Sequence, residues 1–310
     1  MLTVPDWSPT PPLHTLRLDW LAEAGVELAV LRLDLIDAEL SGNKWYKLRP
    51  HLELAARAGR AGVMTLGGAH SNHLHAVAAA GARFGFATVG LLRGEPCDTP
   101  TVRDLQAFGM QLHWLGYGGY RARHRADFWQ PWLDRYPELQ PVPEGGGGRP
   151  GALGCVELVE LARRQLPGLG WDDYHGWWLA AGTGTTLAGL VMGEAGQRLV
   201  HGALAVPQDH GVERRLAELG VAPGHFRLHA ASRGGFARTD EQLLTFMAGV
   251  EQAAGLPLEP LYTAKALLAL REQVEAGAIR SGTRLIFVHT GGLQGLRGLS
   301  FGRSAAALRA

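Results

Sequence analysis

The sequence predicts an α/β protein built on a mostly parallel sheet with helices on both faces, and three observations predict it. Short apolar runs alternate along the chain with Ala-rich or amphipathic stretches of helical length. The polar, glycine-rich turns mostly follow the apolar runs: Gly67-Gly68, Gly182-Thr-Gly-Thr-Thr186 and His289-Thr-Gly-Gly292. Ligands in such folds bind beyond the carboxyl ends of the strands, so these turns can line one cleft. Finally, a length of 310 residues suits two lobes or one large α/β domain.

Taken in order, residues 1–15 are proline-rich and are expected to run extended over a surface. Residues 26–33 read as a strand and 50–58 as a helix, with Pro50 leaving the start of that helix open. A strand at 62–66, a helix at 70–84 and a strand at 87–92 follow. Next come a helix at 102–108, a strand at 111–115 and an aromatic-bearing helix at 120–135. Residues 141–154 (Pro-Val-Pro-Glu, four glycines, Arg-Pro-Gly) are the clearest break in composition. They read as a flexible linker or as a loop contributing to a ligand site. Beyond the break, helices are expected at 155–166, 187–195, 210–219, 239–254 and 264–276, and strands at 176–181, 199–206, 226–231 and 284–289.

Composition narrows the function classes. Hydrophobic residues are 46% and charged residues 19%, ordinary for a globular chain. A net charge of +1 gives no footprint for nucleic acid or a membrane surface. The nearest approach to a membrane span, 76–92, contains Arg83 and three glycines. Two cysteines, Cys97 and Cys155, make no framework and fit reduced thiols in the cytosol. No signal peptide is visible at the N-terminus.

Lysine usage points to chemistry. Of 30 basic residues only Lys44, Lys47 and Lys265 are lysine. Arginine can neither lose its proton in a protein nor form an imine, whereas lysine can do both. In Ser41-Gly-Asn-Lys-Trp-Tyr-Lys47 two lysines stand three apart, on one face if the stretch is helical. One can serve as a nucleophilic amine while the other holds an anion. The alternative is a pair of solvated surface lysines, against which the scarcity of lysine elsewhere counts.

The turns carry the remaining candidates. Gly182-Thr183-Gly184-Thr185-Thr186 follows a strand and opens a helix, which suits a single phosphate group or, alternatively, plain N-capping by threonine. It is neither a Walker A loop nor the dinucleotide fingerprint. Gly67-Gly-Ala-His-Ser-Asn-His73 is a second strand-to-helix turn, where Ser71 or Asn72 can cap the helix and its N–H groups can hold a carboxylate. Its histidines also invite a metal reading, ranked well below anion recognition because no carboxylate partner lies nearby. In Pro260-Leu-Tyr-Thr-Ala-Lys265, Thr263 is a good N-cap, and His289-Thr-Gly-Gly292 can be a plain glycine turn.

Together these pieces fit pyridoxal 5′-phosphate, and here the chain resembles a family. It is similar to the fold type II pyridoxal-phosphate enzymes, tryptophan synthase β-subunit-like, and within them to the 1-aminocyclopropane-1-carboxylate deaminase/D-cysteine desulfhydrase family. The matching stretches are Gly42-Asn-Lys-Trp-Tyr-Lys-Leu48, Gly67 to His73, Gly182 to Thr186, Pro260 to Lys265 and His289 to Gly292, in the family's order. The resemblance implies two lobes with the cofactor between them, residues 1–46 plus 151–310 and residues 47–150, in a homodimer. It implies that Lys44 carries the cofactor as a Schiff base and moves protons. Lys47 and residues 182–186 would bind the phosphate, Asn72 the ring hydroxyl, and Ser71 the carboxylate of a small amino-acid substrate. Tyr262 would stack on or beside the ring and Thr263 face its nitrogen. His73, Thr290 and Gly291 complete the substrate side.

Threonine at 263 and 290, where resembling deaminases carry glutamate and leucine, points to α,β-elimination from D-cysteine rather than opening of a cyclopropane ring. The ring-opening deaminase and a binding protein without turnover are the alternatives. Departures from the family pattern are Phe236 in place of tyrosine, the glycines at 145–148, and an acidic-basic cluster reduced to Asp34.

Overall fold

The structure is a computed structural model, and it describes residues 1–235 and 237–298. The expectation about Phe236 lies outside the described residues. In chain order the elements are β1 (Leu13–Leu16), α1 (Asp19–Ala24), β2 (Glu27–Arg32), α2 (Lys44–Arg57), β3 (Gly62–Gly67), α3 (Asn72–Phe84), β4 (Ala87–Leu92), α4 (Pro100–Ala107), β5 (Gln111–Trp114), α5 (Gly116–Arg121), α6 (Gln130–Arg135) and β6 (Leu139–Pro141). They continue with α7 (Gly148–Gly154), α8 (Glu157–Arg163), β7 (Gly176–Ala181), α9 (Thr185–Glu194), β8 (Leu199–Leu204), α10 (Val212–Glu218), β9 (Phe226–Ala230), α11 (Glu241–Ala254), α12 (Thr263–Glu275) and β10 (Arg284–His289).

The strands form two sheets, in the orders β1-β2-β10-β7-β8-β9 and β5-β4-β3-β6. Every pairing is parallel except β1 with β2. Side-chain alternation sends successive residues to opposite faces, and both faces are covered. In the larger sheet Leu31, Trp177, Leu179 and Ile286 pack under α7–α10, while Val30, Trp178, Leu285 and Phe287 pack under α1, α11 and α12. In the smaller sheet Val63 and Leu92 face α2–α4, and Met64, Leu66, Val89 and Leu91 face α5 and α6. That sheet is built wholly from residues 62–141.

Four expectations need correction. Residues 1–15 are not simply extended over a surface: Leu13 and Leu16 are buried in β1, which pairs antiparallel with β2. Residues 120–135 are not one helix. The chain leaves helical geometry at Arg125, and α6 restarts with Pro131 in its first turn, where a missing N–H costs nothing. Pro50, by contrast, lies inside α2, which runs unbroken from Lys44. Residues 141–154 are no flexible linker: they end β6 and then form α7, packed on α2 and α9.

Helix starts are capped where the sequence offers short polar side chains. Ser71, Thr99 and Asp240 accept N–H bonds at the starts of α3, α4 and α11. The far end of α9 is held by Glu194, whose side chain is fully buried. Its carboxylate accepts from Trp177 Nε1 (2.6 Å), Tyr174 Oη and Arg163 Nη2 (2.7 Å), and from Arg198 Nη1 (3.2 Å). Removing it strands a buried phenol and a buried indole and takes an ion-pair partner from two guanidiniums. Glu194→Ala is therefore expected to lower stability by about 3–5 kcal/mol, read as a fall in the urea midpoint.

Candidate active site

The turns at the carboxyl ends of β3, β4, β7 and β10 converge on one cleft of about 470 Å³. Of the residues expected in the site, Lys44, Lys47, Ser71, Asn72, His73, Gly182 to Thr186, Tyr262, Thr290 and Gly291 line it. Thr263 does not. It is fully buried as the first residue of α12, with its hydroxyl between the backbone N (2.9 Å) and O (3.2 Å) of Glu259. Nor does it cap that helix. The side chain of Glu259 accepts from the N–H groups of Leu261, Tyr262 and Thr263 at 2.7–2.8 Å and does the capping.

Lys44 opens α2, and Lys47 stands one turn further along the same face. The backbone before them is pressed against the turn after β10. Asn43 N donates to Thr290 O (3.2 Å), and a Cβ on Gly42 would come within 2.3 Å of that same oxygen. That contact, with a φ of +84°, requires glycine ahead of Asn-Lys. Lys44 Nζ donates to Asn43 Oδ1 (3.2 Å), and Asn43 Nδ2 donates to Thr186 Oγ1 (2.8 Å). The amine is thus tied to the loop that opens α9. Burial, then the charge of Lys47, holds the Lys44 amine well below the usual lysine range.

Lys47 is 3% exposed, and its one hydrogen bond among the described residues is a long one, to Gly145 O at 3.5 Å. Burial lowers its pKa as well. Beside it, Thr183 Oγ1 and Thr185 Oγ1 lie 3.0 Å apart. Gly184, with φ +82°, makes the N-cap of α9 without a side-chain cap. The first N–H groups of α9 therefore have no intrahelical partner. Arg215 holds this loop from behind by donating to the carbonyls of Thr183 (3.1 Å) and Gly182 (3.3 Å). A buried, under-bonded ammonium beside a helix start and two hydroxyls is a donor set whose own acceptors are few and distant. It fits a phosphate dianion. Tyr262 packs its ring against Gly182, where a Cβ would come within 3.1 Å.

On the opposite wall Ser71 caps α3 by accepting from Leu74 N (3.2 Å), which leaves its proton to donate. Gln294 Nε2 donates to Asn72 Oδ1 (3.0 Å), so the Asn72 amide keeps its N–H groups as donors. Thr65 donates to Val142 O (2.9 Å), so His73 Nε2, 2.9 Å from the same hydroxyl, carries the ring proton. His73 Nδ1 is then a buried acceptor without a partner. Burial and the two lysines hold this imidazole far below its usual pKa, hence neutral. His75 pairs with Asp104 (3.2 Å), away from His73. Among the described residues no group of three or more His, Cys, Asp or Glu could hold a metal ion.

Several lining residues were missed in the sequence: Asn43, Arg93, Tyr120, Glu144 and Glu259. Burial pushes the Glu259 carboxyl up to about 7, against the pull of its three N–H partners. The glycine run was legible as a ligand-site loop, and it is fastened by carbonyl contacts from Lys47 and His51 (3.1 Å to Gly147 O). Lys265 lies outside the cleft. Its ammonium donates to Ser232 O (3.0 Å) and Gly235 O (3.2 Å), two convergent carbonyls that a compact donor satisfies. Asp34, expected as the remnant of an acidic-basic cluster, is buried between Arg32 (2.6 Å) and His289 (3.1 Å) behind the Thr290 turn.

No family model matches the chain. Relatives among curated proteins do. A putative 1-aminocyclopropane-1-carboxylate deaminase of Pyrococcus abyssi is 27% identical over 296 residues, covering 88% of this chain and 87% of that one. The bifunctional D-cysteine desulfhydrase/1-aminocyclopropane-1-carboxylate deaminase of Arabidopsis thaliana is 29% identical over 312 residues, covering 92% and 77%. The chain is thus a homologue of proteins named 1-aminocyclopropane-1-carboxylate deaminase and D-cysteine desulfhydrase, at 24–29% identity over most of its length. Its fold agrees: a crystal structure of a homologue of that deaminase superposes with a TM-score of 0.81 over 99% of this chain and 95% of the other, at 24% identity. The architecture is that of the fold type II enzymes. Among the described residues of this homologue, no helix is long and apolar enough to cross a membrane.

Proposed function

We propose that this protein is a pyridoxal-phosphate-dependent lyase that eliminates the β-substituent of a small amino acid, D-cysteine foremost: hydrogen sulfide leaves, and the released enamine is hydrolysed by water to pyruvate and ammonia. The observation that carries the reading is the cleft itself. It is lined by an amine of depressed pKa, a donor set of the kind that suits a phosphate and a helix start of the kind that suits a carboxylate, around a cavity of about 470 Å³.

Lys47 and the backbone and hydroxyls of 182–186 would hold the phosphate. Tyr262 and Asn72 would hold the ring, with Thr263 behind the wall. When bound, pyridoxal phosphate supplies an electron-withdrawing ring that acidifies the α-proton of an attached amino acid. Lys44 Nζ is the group that takes that proton, since a desolvated amine beside a second cation is free to accept one. Ser71 and the N–H groups at the start of α3 orient the substrate carboxylate. His73, Thr290 and Gly291 face the rest of the substrate. Closure of these groups around a small amino acid excludes water from the reacting carbon. The same reading carries with it residues 47–150 as the smaller lobe, a homodimer and a cytoplasmic setting.

Elimination is favoured over ring opening because position 263 offers the ring no charge. Its threonine bonds to the Glu259 backbone, and the Glu259 carboxyl is committed to three N–H groups. A ring nitrogen without a charged partner makes a weaker electron sink, which suits a substrate whose leaving group takes the electrons. The expected result is pyruvate from D-cysteine in a panel of D- and L-amino acids, with little 2-oxobutanoate from 1-aminocyclopropane-1-carboxylate at equal concentration. Release of 2-oxobutanoate at an equal or greater rate reverses the assignment.

A further inference from the structure

We propose that Arg93 forms a subsite for an anionic group on the substrate's side chain. The preferred substrates are then small amino acids with an anionic group attached to Cβ, cysteine in its thiolate form included. This rests on the lyase reading above and narrows it.

Arg93 follows β4 directly, and its backbone N donates to Gly67 O (2.9 Å) at the end of β3. The guanidinium is therefore rooted beside the turn that leads into Ser71 and Asn72. It lines the cleft and sits over the ring of Tyr117, 5.5 Å from the centroid. Tyr117 in turn packs on Gly94, where a Cβ would meet its ring carbon at 3.3 Å. The stacking restrains the side chain without using its donors. Among the described residues Arg93 has no ion pair, unlike most arginines of this chain.

The charge balance of the cleft supports an anion there. Among the described residues three basic side chains line it: Lys44, Lys47 and Arg93. A phosphate answers Lys47, and Lys44 is committed to Asn43 and to chemistry. Both lining carboxylates are spoken for. Glu144 accepts from Tyr120 Oη (2.5 Å) and Arg123 Nε (2.9 Å), and Glu259 accepts its three N–H groups. The α-carboxylate has the start of α3. Arg93 is left as an exposed guanidinium at the cleft with no acceptor among the described residues, and a side-chain anion can pair with it.

The test uses an isosteric pair on the cofactor-loaded protein. Binding of aspartate and of asparagine, each as both enantiomers, is measured by calorimetry. Aspartate is expected to bind about tenfold more tightly, with the preference shrinking as salt rises. In Arg93→Met the preference should fall to near unity, and Arg93→Lys should restore part of it. Equal binding of the pair by the unaltered protein overturns the proposal, as does an unchanged ratio in Arg93→Met. Equal weakening of both ligands would assign Arg93 to the α-carboxylate and overturn it too. If no β-substituted amino acid yields pyruvate, the lyase reading falls, while the aspartate-to-asparagine ratio still decides the role of Arg93.

Discussion

Replacing Lys44 with alanine is expected to lower turnover by at least about 1,000-fold, because the reacting amine has no substitute in the cleft. The decisive comparison is Lys44→Arg. It keeps the charge and nearly the length, yet an arginine cannot give up its proton, so it should be as inactive as the alanine variant. Burial and the neighbouring Lys47 hold the Lys44 amine below its ordinary value. The free amine is therefore populated at a lower pH than for a solvated lysine of pKa 10.5. The rising limb of the pH–rate profile should lie correspondingly low. Borohydride reduction of the loaded protein followed by peptide mapping should label Lys44. Activity of Lys44→Arg within tenfold of the unaltered protein, or a label on Lys47 or Lys265, would refute the assignment. Glu194→Ala, at the opposite end of α9, should cost stability instead, which separates a reacting group from a supporting one.

What the sequence made legible is what local pattern controls. A glycine-rich turn after an apolar run marks the carboxyl end of a parallel strand, and three such turns sufficed to place most of the cleft. Lys44 and Lys47 were legible because lysine is scarce in an arginine-rich chain. Glu259 was not: four residues ahead of α12 it looks like a connector, and only the packed turn after β10 makes it a wall of the cleft. Thr263 illustrates the converse. Its place in the motif suggested a hydroxyl facing the ring, but with Glu259 capping α12 that hydroxyl turns back to the Glu259 backbone. Arg93 and Asn43 depend on which strand end lies beside which, and periodicity carries no such information. Residues 120–135 were misread because aromatic content outweighed Pro131, which reports where a helix must restart.

Replacing Lys47 with methionine should move affinity and stability in opposite directions. The buried ammonium has one long hydrogen bond in the protein, so without a phosphate it is a charge kept out of water with little return. Its pKa is lowered in the folded protein relative to 10.5. Between that depressed value and 10.5 the unfolded chain holds more protons than the folded one, so the stability of the cofactor-free protein should rise with pH across that window. Lys44 adds a slope of the same sign. In Lys47→Met the slope should be reduced but not abolished, and the cofactor-free variant should be more stable than the unaltered protein at pH 7.5. Loaded protein should show the reverse order. Loss of a charge-assisted contact to a buried anion costs about 1.5–3 kcal/mol, or about 10- to 100-fold in cofactor affinity. Lys47→Arg should fall between, since it keeps the charge without the compact ammonium. Urea midpoints at pH 7.5 and 9.5, with and without cofactor, read both effects. A cofactor-free Lys47→Met that is less stable at both pH values, or one that holds the cofactor as tightly as before, would mean that this lysine serves the fold and not the phosphate.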